Sequence, residues 1–130
     1  MSRRAHTVAV ASLVGVFAYQ GLVPKLWRCD DAEVALWREM GLPEPTARRV
    51  VRVVGAGEMG FAAVTALRSG RRWPFVIAMA AMPALATAST RADRSSLGRA
   101  FNPGSLGIAV VGLAAVALIT RTTDNAPAPQ

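Results

Sequence analysis

Arg52-Val-Val-Gly-Ala-Gly-Glu-Met-Gly60 admits two incompatible readings. Preceded by Val50 and Val51, it spells G-x-G-x-x-G after a β-branched run, the glycine pattern of a dinucleotide-binding turn. That chemistry also needs a strand before the glycines, a helix after them, and an acid about 20 residues on to hold ribose hydroxyls. The next acid after Gly60 is Asp93, and the place for a second strand falls within the uncharged Pro74–Ala84. No strand–helix alternation follows. The other reading is a helix within the apolar run Val50–Leu67, where the glycines permit close helix packing. Glu58 then lies near a bilayer midplane, where an unpaired charge costs several kcal/mol. The helical reading is adopted.

Outward from this run, composition supports it. The chain has 130 residues, 52% hydrophobic and 18% charged, with a mean hydropathy of +0.32. A soluble domain is usually about a quarter charged. Four nearly charge-free blocks stand out, at residues 7–23, 50–67, 73–90 and 104–120. Each lies at the short end of the roughly 17–25 residues that cross a bilayer as a helix. The expected fold is all-α: a single four-transmembrane-helix bundle over residues 1–123, with a disordered tail at 124–130. The net charge is +7, and all but one of the 15 basic residues are Arg. These flank the apolar blocks, as headgroup anchors do, and are not gathered into one nucleic-acid-binding face. Nucleic acid is therefore not an expected partner; the lipid bilayer is. A single cysteine, Cys29, precludes an internal disulfide and offers no metal-ligand spacing. It reads as a loop thiol.

Along the chain, Met1–His6 is a basic leader to a first span that Pro24 should end. Asp30-Asp-Ala-Glu33 has the spacing of a helix capping box. Val34, Leu36, Trp37 and Met40 then give a short amphipathic helix in the first loop an apolar side. In the second span, Arg48, Arg52, Gly55, Glu58, Ala62 and Thr65 share roughly 140° of helix surface, a polar and small-residue stripe expected to face inward. Pro83 should kink the third span. An even span number puts both termini on one side. Raw counting of positives favours the long loops inside, whereas the tight Arg-rich turn at residues 68–72 favours cytoplasmic termini; the latter orientation is adopted.

In this topology Tyr19, Gln20 and Lys25 end the first helix on the side from which Arg52 begins the second, with Asn102 in the loop that emerges there. Glu58 is about 9 Å deeper than Arg52, at 1.5 Å per residue. These six residues form a candidate polar pocket, set against the simpler alternative of a hydrogen-bonded structural cluster. The segments Tyr19-Gln-Gly-Leu-Val-Pro-Lys25, Gly55-x-Gly-Glu-x-x-Gly60 and Ala100-Phe-Asn-Pro103 resemble those of the DoxX-like membrane protein family, across almost the whole chain. The resemblance implies a multi-pass protein of the bacterial inner membrane. It also implies an accessory subunit of a membrane redox or oxidative-stress complex, with an oxidoreductase partner and no catalytic activity of its own. No haem, flavin or iron–sulfur ligand set is evident, which leaves quinone as the cofactor class open to it. Two other functions stay open. One is a small proton-coupled exporter using Glu58, which would work as a homo-oligomer; the other is a structural membrane scaffold.

Overall fold

The computed structural model describes residues 2–92 and 103–123, with side chains for 3–87 and 105–120. The described residues are all-helical, without strands: α1 (Ser2–Gln20) continues as a π-helical segment (Gly21–Trp27), followed by α2 (Asp31–Glu39), α3 (Glu44–Leu67), α4 (Trp73–Ala92) and α5 (Pro103–Thr123). Two helices are long and apolar enough to cross a membrane, Arg3–Trp27 and Glu44–Leu67, while the apolar stretches Trp73–Thr87 and Ser105–Thr120 are shorter. The dinucleotide-like stretch lies within α3. The expected tail at 124–130 lies outside the described residues.

Ring and backbone contacts fix the helix directions. At one end, the His6 ring meets Phe75 edge-on at 6.0 Å, and His6 Nδ1 lies 2.9 Å from the Ala117 carbonyl oxygen. The starts of α1 and α4 therefore share an end with the close of α5. Phe17 meets Phe61 at 4.8 Å and Gly21, further along, packs on Gly55, so α3 runs antiparallel to the first helix. In cross-section α1 packs along both α3 and α5, α5 packs along α4, and α3 and α4 touch only lightly. The core joins α1, α4 and α5 through Leu13, Phe75, Val110, Ala114 and Ala117. Val110, Ala114 and Ala117 recur at helical spacing on one face of α5, and each is fully buried. In lipid such small residues let backbones approach, and van der Waals contact replaces the hydrophobic effect as the driving force.

Pro24 does not end the first helix. Having no N–H to donate, it is absorbed where the backbone widens. Arg28 N–H donates to the Val23 carbonyl at 3.1 Å, five residues back, and Asp30 N–H to the Pro24 carbonyl at 2.7 Å. The helix stops at Cys29, whose φ of 48° lies in the left-handed region that breaks a right-handed helix. Cys29 is the loop thiol expected, free but not exposed. It is buried with Val34, Ala47 and Val51, against Trp37 and Leu42, where α2 covers the first turns of α3. Pro83 sits inside an uninterrupted α4.

The amphipathic α2 forms as its sequence suggests, with different capping. Asp30 Oδ1 accepts from the Ala32 N–H at 3.1 Å. Arg48 ties α2 to α3 by bonding Asp31 and Glu44, each at 3.0 Å. These groups are largely exposed, so each pair contributes at most about 1 kcal/mol.

Candidate functional site

Lys25 is the chain's only lysine and is 7% exposed. Its Nζ stands 3.0 Å from Glu58 Oε2 and 3.6 Å from Glu33 Oε1. It also donates to the Gln20 backbone carbonyl at 3.5 Å. An ammonium has three N–H groups, and here three oxygens surround it. The contact with Glu58 is close enough for an ion pair, though it is not aligned as a hydrogen bond. Three elements meet at this point: the π-helical segment supplies the cation, and α2 and α3 each supply a carboxylate.

Two glycines allow that meeting. A Cβ on Gly21 would stand 2.6 Å from the Gly55 carbonyl oxygen and 3.1 Å from Glu58 Cβ. A Cβ on Gly55 would stand 2.7 Å from Lys25 Cβ and 2.8 Å from the Gly21 carbonyl oxygen. The two helices thus touch backbone to backbone, and Lys25 folds over Gly55 towards Glu58 one turn further along α3. Gly57 and Gly60 have nothing near a would-be Cβ. Of the three glycines in the motif, Gly55 alone makes the close approach.

The six residues singled out from sequence are not all brought together. Lys25 and Glu58 are paired, and Gln20 contributes through its backbone oxygen. Tyr19 is 61% exposed. Arg52 is exposed as well and makes no ion pair among the described residues. Asn102 lies outside the described residues. The inward stripe on α3 divides accordingly: Gly55, Ala62 and Thr65 are buried, while Arg52 faces out. The Thr65 hydroxyl has no hydrogen-bond partner among the described residues. Glu58 faces the Gly21 end of the first helix.

Glu33 is the member that sequence reasoning missed. The capping-box spacing assigned it to the helix terminus, but Asp30 satisfies the Ala32 N–H and Glu33 turns to Lys25. One signal was available. Glu33 precedes Trp37 by four residues, so it shares the face of α2 that packs inward.

The arrangement can hold a charge inside a helical bundle and pass a cation's attention between two carboxylates. Among the described residues, no three His, Cys, Asp or Glu side chains gather as a metal ligand set.

Among the described residues the protein is all-helical, with two helices long and apolar enough to span a bilayer that cross through paired glycines beside a largely buried ion pair. Its sequence matches the DoxX-like family over residues 14–115, and the chain belongs to that family. No curated protein and no solved structure matches it.

Proposed function

We propose that this chain is a four-span protein of the bacterial inner membrane and an accessory subunit, without catalysis of its own, of a redox or oxidative-stress complex. Both termini are cytoplasmic in this reading. The end of the bundle that carries Lys25, Glu58 and Glu33 meets the partner oxidoreductase or a quinone headgroup. Membership of the DoxX-like family across residues 14–115 carries the proposal. The site supports it in one respect: its ion-paired groups suit anchoring and charge balance. Affinity capture of the tagged chain from native membranes in mild detergent tests it. An oxidoreductase recovered in near-stoichiometric amount is expected; recovery of the chain alone would end the reading.

One observation favours a second reading, a proton-coupled exporter. Lys25 lies within 4 Å of two carboxylates on different elements. Protonation of Glu58 would leave the ammonium to Glu33 and alter how α2 rests on α3. In this case proton-driven efflux from proteoliposomes should be measurable and should disappear in Glu58→Gln.

A further inference from the structure

At the end of the bundle away from Lys25, the turn joining α3 to α4 forms an open groove of about 610 Å³ lined by Val64, Leu67, Arg68, Arg71 and Trp73. Its size lies within the range of small-molecule sites. The turn is tight: Arg68 N–H donates to the Val64 carbonyl at 2.8 Å, and Arg71 N–H donates to the Arg68 carbonyl at 2.8 Å. These bonds hold both arginines at the groove wall. No ion pair neutralises either guanidinium among the described residues. The other wall is apolar and open, with Leu67 83% exposed and Trp73 44% exposed.

Among the described residues, charge at this end has one sign. Arg3, Arg4, Arg68, Arg71 and Arg72 lie here, whereas the described acids lie in α2, at the start of α3, or beside Lys25. Exposed leucine beside paired guanidinium groups is a poor surface for water and a good one for a molecule with an anionic head and a hydrocarbon tail. Guanidinium groups bind phosphate oxygens bidentately, and tryptophan favours the headgroup level of a bilayer. Because α3 and α4 touch only lightly, a chain-like ligand can lie between them along Val64 and Leu67.

We infer that the α3–α4 turn is a binding site for one anionic phospholipid, its phosphate held between Arg68 and Arg71 and an acyl chain laid along Val64 and Leu67. The inference rests on the four-span reading in that the turn must lie at a leaflet surface. It is independent of any partner subunit or redox role.

Native mass spectrometry of the full chain, released from detergent, tests it by titration with phosphatidylglycerol, phosphatidylcholine of the same acyl chains, and sodium phosphate. Phosphatidylglycerol should bind at least tenfold more tightly than phosphatidylcholine, and sodium phosphate should not bind in the same range. Arg68→Gln and Arg71→Gln should each weaken phosphatidylglycerol roughly fivefold, the usual contribution of one basic residue at an anionic lipid surface. Arg72→Gln removes the same charge from a neighbouring position outside the groove and should change binding less than twofold. Equal affinity for the two lipids, equal loss in Arg72→Gln and Arg71→Gln, or phosphate binding as tightly as the lipid would each overturn the site. The headgroup comparison uses the unaltered chain, so it decides even where a substitution unfolds the protein. Carbonate extraction reports separately on membrane insertion, so failure of the four-span reading is distinguishable from failure of the lipid site.

Discussion

Around Lys25, one ammonium faces oxygens from Glu58, Glu33 and Gln20 while being 7% exposed. A buried cation that loses its partner keeps its desolvation cost and loses its compensation, typically about 3–5 kcal/mol for a fully buried pair. Here Glu33 remains within 3.6 Å, and the Glu58 side chain retains 20% of its exposure, so a smaller loss is expected. Glu58→Ala should destabilise the bundle by about 2–3 kcal/mol, and Glu58→Gln by less, because the amide keeps volume and polarity. Lys25→Met combined with Glu58→Ala should cost clearly less than the two single changes added, the signature of coupled neighbours. Arg52→Gln should fall within about 0.5 kcal/mol of the unaltered protein, as surface substitutions usually do. Thermal unfolding of the set in one detergent checks all of this. Additive losses for Lys25 and Glu58, or coupling of Glu58 to Arg52, would refute the assignment. The sequence had put both cations within reach of the glutamate; the fold chose the lysine.

For the helices as elements, the decisive contact is the crossing of the first helix over α3 at Gly21 and Gly55. Gly55→Ala would place a methyl group 2.7 Å from Lys25 Cβ and 2.8 Å from a backbone oxygen, so the helices must separate. Overpacking of this kind costs about 1–3 kcal/mol, and it should also loosen the Lys25–Glu58 pair. Gly57→Ala lies two residues away in the same helix with open space around it. There the change should be neutral, or stabilising by up to about 1 kcal/mol through helix propensity. Comparing melting temperatures of the two variants separates a packing requirement from a generic preference for glycine. If both variants melt alike, the crossing does not depend on Gly55. The Gly-x-Gly pattern itself was plain in the sequence, but it could not say which glycine carries the contact. Helical period assigns a face to each residue, not a neighbour to each face.

Across the whole molecule, the membrane reading makes two predictions. After a carbonate wash the protein should remain with the membranes and require detergent for release; appearance in the soluble fraction would exclude it. Orientation is testable by thiol labelling, though not at Cys29, which is buried between α2 and α3. Met40 follows α2 and is 58% exposed, so Met40→Cys in a Cys29→Ala background provides a reactive group on the same loop. With cytoplasmic termini, an impermeant maleimide added to intact spheroplasts should label it. Labelling only after permeabilisation would place the long loop inside, as the raw count of positive charges prefers.

Composition and apolar period alone determined that the chain is helical and that two of its helices are long and apolar enough to span a bilayer. Three short motifs carried the resemblance to a family that the match over residues 14–115 bears out. These properties follow from local sequence, because hydrocarbon demands apolar side chains and internally satisfied backbones whatever the neighbours are. Only the tertiary structure decided that the first helix passes through Pro24 as a π-helical segment, that Glu33 joins the ion pair, and that Arg52 and Tyr19 face outward. Each depends on the relative register of two helices. The contact between the Gly21 and Gly55 backbones sets that register, and no periodicity within a single helix encodes it.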